Sequence, residues 1–382
     1  MRLTLDDWVR RLDLGRWPYA VLGSARGSVY VADLDSGRVI ASADSVHSQI
    51  GGNPNGNAYL FGNYDGGGTL AVAMRGDTVV SAGREGGAAI WRIDWEGGML
   101  VGPVRPRGVD GVVTSLEIDE EGRLWVAEYG GTFEGAVYGF DLLDSAPLSE
   151  QTPLEARFAS GPLCMDVSDD IGVVAVGTAG GTVELISVED GSIVGSWDVC
   201  GSNVGPKTHV RAVEIFHAGL IDEDESKNDR WCVVCGGGDG TMQMRWLRIR
   251  EGGHLDASDP FDDERQGVSL PRHSGMVVSL QGCRGPASGV LVSGAQDGTL
   301  RVWDFADDHK TDIVSKVDAG SVDGSGSGDI NIHPIVLYQL AGYKAWLGSV
   351  CVDEKGLRLV SDGADNSVVV HDFSKLPELP ND

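Results

Sequence analysis

The most constraining feature of this sequence is the stretch Leu291–Phe305, LVSGAQDGTLRVWDF. An apolar run ends at Ser293-Gly294, a tight turn follows at Gln296-Asp297-Gly298, and residues 299–304 then alternate between polar and apolar side chains. His273 precedes this stretch, and the apolar segment 277–280 begins four residues after that histidine. The pattern predicts an antiparallel hairpin preceded by a third strand.

This order of His, three residues, Val, a strand, Ser-Gly, Asp-Gly and Trp-Asp resembles the WD40 repeat, which forms one blade of a β-propeller. The resemblance implies that His273, Ser293, Asp297 and Trp303 form a hydrogen-bonded tetrad, in which Asp accepts from His and His is linked through Ser to the indole N–H. Hydrolases also use Ser, His and Asp, but a serine inside a strand and beside a tryptophan favours the structural role.

Similar hairpin patterns recur along the chain, each with a strand that ends in a small residue, a turn that contains Gly, and an alternating strand. They occupy Ala20–Ala41, Val79–Asp94, Leu124–Asp144, Val174–Trp197, Val233–Ile249, Leu291–Phe305 and Leu359–Phe373. At roughly 40–45 residues per repeat, seven blades together with the insertions account for the 382 residues. The sequence therefore predicts an all-β fold, a seven-bladed propeller of four-stranded antiparallel blades.

Two other repeats retain part of the tetrad. The second has Ser81 and Trp91, with Glu85 at the Asp position. The last has Ser361 and Asp365, with Tyr343 at the His position and His371 at the Trp position. The membership of the other repeats rests on spacing.

The chain divides into a short leader at residues 1–18, the propeller at 19–375 and a C-terminal tail at 376–382. Residues 4–12 of the leader fit either an N-capped turn of helix or a strand that closes the ring. We favour ring closure, because an unpaired edge strand at the seam would promote aggregation.

Four insertions interrupt the repeats: Ser45–Gly68, His217–Arg230, Gly252–Gly267 and Ala306–Ile332. The first is rich in Gly and Asn, the next two are acidic, and the last contains VDGSGSGD and is typical of a flexible loop. We expect all four to be too polar to add to the core, and the two acidic ones to be dispensable for folding.

The formal net charge of −27 disfavours direct binding to nucleic acid. No apolar run reaches the length of a membrane span. The six scattered cysteines form no dense framework, which favours a reducing compartment. We therefore expect an intracellular, soluble protein of the cytoplasm or nucleus, with an organelle left open.

Motifs that could hold a cofactor or metal are weak. Cys232 and Cys235 form a CxxC without further ligands, and residues three apart in a strand point to opposite faces, so buried thiols are expected. The segment 323–329 lacks the carboxylate spacing of a calcium loop. Gly-rich runs precede strands rather than helices, which disfavours a phosphate loop. We predict no catalytic residue, cofactor or metal.

The WD40 resemblance implies a rigid, non-enzymatic platform for protein partners. The alternative is a quinoprotein-like propeller enzyme or small-ligand binder, because Gly27–Ala41 and Gly181–Trp197 also look like the repeats of pyrroloquinoline-quinone dehydrogenases. For the scaffold, we predict that the end of the propeller at which His273 meets Asp297 binds the partner. The candidate contact residues there are Arg84, Arg272, Lys344 and Trp346, side chains of types that often dominate interface energy.

Overall fold

The computed structural model describes most of the chain, and almost all of its regular structure is β-strand. The described residues are 2–47, 68–130, 134–144, 146–199, 209–218, 230–250, 252–262, 268–283, 289–305, 334–341, 343, 347–363 and 366–375. One short 3₁₀ helix, Phe373–Lys375, follows the last strand.

The strands form seven antiparallel sheets of four strands each, which confirms the predicted seven-bladed propeller. Blades 1 to 3 contain β2–β13: Val9–Leu14, Tyr19–Ser24, Val29–Asp33, Arg38–Ala43, Thr69–Arg75, Thr78–Gly83, Ala88–Asp94, Met99–Val104, Val112–Ile118, Arg123–Tyr129, Gly135–Asp141 and Leu154–Phe158. Blades 4 and 5 contain β14–β21: Pro162–Ser168, Val173–Thr178, Thr182–Ser187, Ile193–Asp198, Val210–His217, Trp231–Gly237, Met242–Trp246 and Val268–Leu270. Blade 6 contains β22–β25: Val277–Gly282, Val290–Ala295, Leu300–Asp304 and Ile335–Leu340.

Blade 7 is built from both ends of the chain. Its three inner strands are β26–β28, which span Val350–Val352, Arg358–Gly363 and Ser367–Asp372. Its outer strand is β1, Arg2–Thr4, which pairs antiparallel with β28. The segment predicted as a leader thus supplies this outer strand and also β2, the innermost strand of blade 1.

Side chains connect the innermost strands of neighbouring blades around the central channel. Asp13 of β2 accepts a hydrogen bond from the backbone N–H of Met74 in blade 2 at 2.7 Å. Asp166 accepts from Ile215 at 2.6 Å in the same way. Ser349 accepts from the N–H of Leu12 at 3.2 Å, which joins blade 7 to blade 1. These bonds satisfy N–H groups that the innermost strands cannot share with a further strand.

Apolar side chains fill the spaces between adjacent blades. Strand β19 shows how one strand serves two such cores, because its side chains alternate between faces. Cys235 packs into the core between blades 4 and 5, and Cys232 packs into the core between blades 5 and 6. Both thiols are buried, on opposite faces of the strand.

The acidic insertion Gly252–Gly267 does add to the core, contrary to the expectation from its composition. Leu255 and Phe261 are buried and belong to the apolar cluster between blades 4 and 5. Each makes an antiparallel bridge with the segment that follows β20, at Ile249 and Leu247 respectively. Two apolar residues therefore anchor a loop whose described carboxylates, Asp256, Asp259 and Asp262, are partly or fully exposed. Residues 219–229 and 306–333 lie outside the described part of the chain.

We predict that Phe261→Ala lowers the free energy of unfolding by about 3 kcal/mol, because it leaves a cavity between two blades. The control is Leu143→Ala, since Leu143 is 75% exposed and should contribute little. Chemical denaturation of both variants measures the difference. Equal stability of Phe261→Ala and the wild type would show that the insertion is not part of the core.

Candidate functional site

The structure brings the four residues of the predicted tetrad in blade 6 together. The indole Nε1–H of Trp303 donates to Oγ of Ser293 at 2.9 Å. Oγ of Ser293 lies 2.8 Å from Nε2 of His273, and Nδ1 of that ring lies 3.3 Å from Oδ2 of Asp297. The chain of bonds joins β24 through β23 to the loop before β22 and to the turn between β23 and β24.

The charges within this tetrad fix the direction of its hydrogen bonds. Burial and the nearby Arg301 lower the pKa of His273 despite the Asp297 carboxylate, so the ring is neutral at neutral pH. Burial alone would raise the pKa of Asp297, but hydrogen bonds from Thr299 and Ser274 outweigh it and lower the pKa to about 2. The histidine therefore donates from Nδ1 to a carboxylate and accepts the serine proton at Nε2.

Blade 2 contains a second tetrad whose histidine the sequence analysis missed. The indole of Trp91 donates to Oγ of Ser81 at 3.0 Å, and this oxygen lies 2.9 Å from Nε2 of His47. Nδ1 of His47 bonds the carboxylate of Glu85, which stands at the Asp position. Residues 48–67 separate His47 from its strand and hide the usual spacing. His47 lies inside the segment Ser45–Gly68 that the sequence analysis treats as an insertion, and a histidine near the start of that segment is the available signal.

Blade 7 uses a variant of the same connection. The hydroxyl of Tyr343 lies 2.9 Å from Oγ of Ser361 and 2.8 Å from Nε2 of His371. Burial lowers the pKa of His371, so its neutral ring can accept the phenolic proton. Asp365 lies outside the described residues. Tyrosine and histidine thus occupy the positions that histidine and tryptophan hold in blade 6.

These connections define two ends of the ring. We use "upper face" for the end that carries the loops leading into each innermost strand and the turns between each second and third strand. Backbone hydrogen bonds join these loops to these turns, as the N–H of Gln296 does by donating to the carbonyl of Met276. The hairpin turns Asp119–Gly122 and Asp353–Gly356 lie at the opposite end, the "lower face".

The structure places Arg84 and Arg272 on the upper face, in different blades. Arg84 lies in the turn between β7 and β8, next to Glu85, and burial lowers its pKa. Arg272 directly precedes His273, and its Nε–H donates to the Asp239 carbonyl at 2.8 Å. The Arg272 side chain remains 61% exposed. Lys344 and Trp346 lie outside the described residues.

The central channel is a second candidate site. It has a volume of about 830 Å³ and is lined by the innermost strands of all seven blades. Its upper part contains Arg11 and Arg211, and its lower part contains carboxylates such as Asp13 and Glu214. Asp362, which lies beside Arg11, is buried, and this burial raises its pKa to about 7. Sequence reasoning did not single out any of these five residues.

Within the described residues, no group of three or more His, Cys, Asp and Glu side chains is arranged to hold a metal ion. Among the same residues, no helix has the length and apolarity required to cross a membrane.

Comparison with known proteins identifies the repeat on which the tetrad of blade 6 lies. The family model described as "WD domain, G-beta repeat" matches residues 265–304. That match and the seven four-stranded blades support the WD40 propeller family. The chain is a seven-bladed β-propeller that contains a WD40 repeat at blade 6. A comparison with curated proteins found no match.

Among solved structures, the WD40 propeller is similar to the crystal structure of a computationally designed protein called Ika8. The TM-score is 0.54 with 16% sequence identity, and the alignment covers 97% of each chain. At that identity the similarity concerns the fold alone. The tetrads of blades 2 and 6 therefore have to be interpreted from their own geometry in this WD40 protein.

We predict that Ser81→Ala lowers the free energy of unfolding by about 1–3 kcal/mol, because it leaves the buried N–H of Trp91 without its acceptor. Trp91→Phe should destabilise as well, and the double variant should cost less than the sum, since both changes remove the same bond. Urea denaturation of the four proteins gives the coupling. Strict additivity would contradict a shared hydrogen bond.

The corresponding tetrad variants in blade 6, Asp297→Ala and Trp303→Phe, should each lower the free energy of unfolding by about 1–3 kcal/mol.

We also predict a pH-dependent stability difference between the wild type and Asp362→Asn. An aspartate in an unfolded chain titrates near pH 4, whereas burial raises the native pKa of Asp362 to about 7. The native state therefore binds this proton more tightly. The resulting stability is fully present below about pH 4 and is lost as the pH rises through about 7.

Relative to Asp362→Asn, the wild type should accordingly gain up to a few kcal/mol as the pH falls from about 8 to about 4. Asp13, whose pKa burial raises to about 6, titrates in both proteins, so its contribution cancels in the difference. Urea denaturation at several pH values measures the effect. A difference that does not change with pH would contradict the prediction.

Proposed function

We propose that this protein is a non-enzymatic scaffold that binds a protein partner through the upper face of its propeller. The observation that carries the proposal is the uneven charge of the two ends. Turns and loops of the upper face contain arginines from several blades: Arg26, Arg84, Arg105, Arg107 and Arg272. Turns of the lower face are dominated by carboxylates: Glu120, Glu121, Asp169, Asp170, Glu189, Asp190 and Glu354.

This distribution favours a partner with acidic or mixed charge. The chain as a whole carries a net charge of −27, so an acidic partner is repelled at long range and especially by the lower face. The upper face mixes its arginines with carboxylates, so it attracts complementary charges of the partner at short range and fixes the orientation in which the partner binds. Arg272 supports this interpretation, because bonds to Asp239 hold its guanidinium in place while the side chain remains exposed.

The Ser-His-acid sets support a structural role rather than catalysis. Ser81 and Ser293 are both 0% exposed, and each is bonded to a tryptophan indole. A serine nucleophile has to reach its substrate and a developing oxyanion. Buried hydroxyls in the middle of a blade cannot do this, whereas they can fix the loops of the upper face.

We place the protein in a reducing intracellular compartment, with the cytoplasm or nucleus as the proposed location. The five cysteines of the described residues form no disulfide, and four of them are buried. Burial raises the pKa of Cys164 and of Cys283 to about 12, which keeps these thiols protonated and unreactive. We expect the partner to be a protein rather than a nucleic acid, given the acidic balance.

We predict that Arg272→Glu and Arg84→Glu each weaken partner binding by roughly tenfold or more, since charge reversal places like charges in the interface. The partner is first captured from the native host with the wild-type protein, and its affinity for each purified variant is then measured. Lys344 and Trp346 remain predicted contact residues, and Trp346→Ala should weaken binding in the same assay.

The matched control for these variants is Lys355→Glu, which reverses an exposed cation on the lower face. It should leave the affinity unchanged. If Lys355→Glu weakens binding and the two arginine variants do not, the docking surface lies on the lower face and the proposal is wrong.

A further inference from the structure

Two arginines project from opposite walls into the upper part of the central channel. Arg11 lies on β2 of blade 1, and Arg211 lies on β18 of blade 5. Arg211 is the extra residue of the β-bulge near the start of β18, and Arg11 directly follows the extra residue of the bulge near the start of β2. The channel volume of about 830 Å³ falls within the range of small-molecule sites.

Only some of the N–H donors of Arg11 make hydrogen bonds within the described residues. Its Nε–H donates to the Leu70 carbonyl at 2.8 Å, and its Nη1 donates to the carbonyls of Arg10 and Gly348 at 2.9 and 3.1 Å. A guanidinium has five N–H donors, so the two on Nη2 make no hydrogen bond within the described residues. Backbone carbonyls thus hold the group in place while one edge remains available.

Arg211 makes no hydrogen bond and no ion pair with any of the described residues. Burial lowers its pKa, and the titratable group beside it is the protonated thiol of Cys164 rather than a carboxylate. The effect extends across the channel, since burial and then the charge of Arg211 lower the pKa of Arg11 to about 10. A desolvated cation without a counterion is unfavourable unless an anion joins it.

Three carboxylates of the channel accept backbone N–H groups. Asp166 accepts the N–H of Ile215, and Glu214 accepts the N–H of Gly282 at 2.7 Å. Asp362 accepts the N–H groups of Gly348 and Ser349, and burial holds its pKa near 7, so part of its population is neutral at physiological pH. In the upper part of the channel, the charge of the carboxylate beside Arg11 is thus partly lost at physiological pH, whereas both guanidinium groups remain cationic.

We propose that the upper part of the channel binds a small organic anion, with its carboxylate or phosphate group between Arg11 and Arg211. Guanidinium groups bind both kinds of oxyanion through paired N–H donors. The acidic lower part of the channel repels a second anionic group, so the rest of the ligand is neutral or cationic. This site goes beyond the docking surface of the upper face and does not depend on a protein partner.

The experiment measures binding of inorganic phosphate and of acetate to the purified full-length chain by calorimetry and thermal shift at low ionic strength. Phosphate and acetate represent the two oxyanion classes, and sorbitol is the neutral control. We expect one anion per chain to bind and to raise the melting temperature, since a ligand that binds only the native state stabilises it. The tighter of the two anions identifies the class.

The deciding variant is Arg211→Gln, which should weaken binding of that anion by roughly 10- to 100-fold, the effect of losing a charged hydrogen bond. Arg211→Lys keeps the charge but loses the paired donors, so its affinity for the anion should lie between those of the wild type and Arg211→Gln. Arg38→Gln, which changes an exposed arginine on the outer strand of blade 1, away from the channel, should bind like the wild type.

Without anion, Arg211→Gln should melt no lower than the wild type, because its guanidinium has no partner in the described structure to lose. Failure of both anions to bind better than sorbitol would overturn the proposal. Equal affinity of Arg211→Gln and the wild type would overturn it as well, because the anion would then bind elsewhere.

Discussion

The innermost strand of every blade pairs with another strand on one side only. The whole ring depends on how the backbone groups at its other edge are hydrogen-bonded. Side chains take the place of a strand there. Asp13, Asp166 and Glu214 each accept a backbone N–H from the next blade, and Ser279 and Ser349 do the same closer to the upper face. This requirement explains why a protein places carboxylates in its interior, and it determines which charges a ligand in the channel would meet.

The parts of the fold that follow from local pattern could be predicted from the sequence. Each repeat pairs an apolar strand with an alternating one across a Gly turn, so the seven hairpins and their turns are visible without the structure. Ser81 and Trp91 fall at the expected offsets within one hairpin. Their partner His47 does not, because residues 48–67 separate it from β6. A tetrad whose histidine lies in the connection before the blade can be recognised from sequence only when that connection is short.

Other features depend on long-range packing that no local pattern records. The insertion after β20 is polar in composition, yet Leu255 and Phe261 dock between blades 4 and 5. Arg11 and Arg211 are 200 residues apart and face each other only because the ring closes. Average polarity predicts exposure, whereas one or two apolar side chains in a loop decide whether it packs.

Blade 7 combines the first strand of the described chain with three of its last strands, and this has a consequence for biosynthesis. While the polypeptide emerges from the ribosome, β1 waits for β28, which is made more than 360 residues later. Until then the growing propeller is an open arc with apolar blade surfaces at both ends. Those surfaces are the ones most exposed to aggregation during synthesis, and they are where a chaperone would have to act.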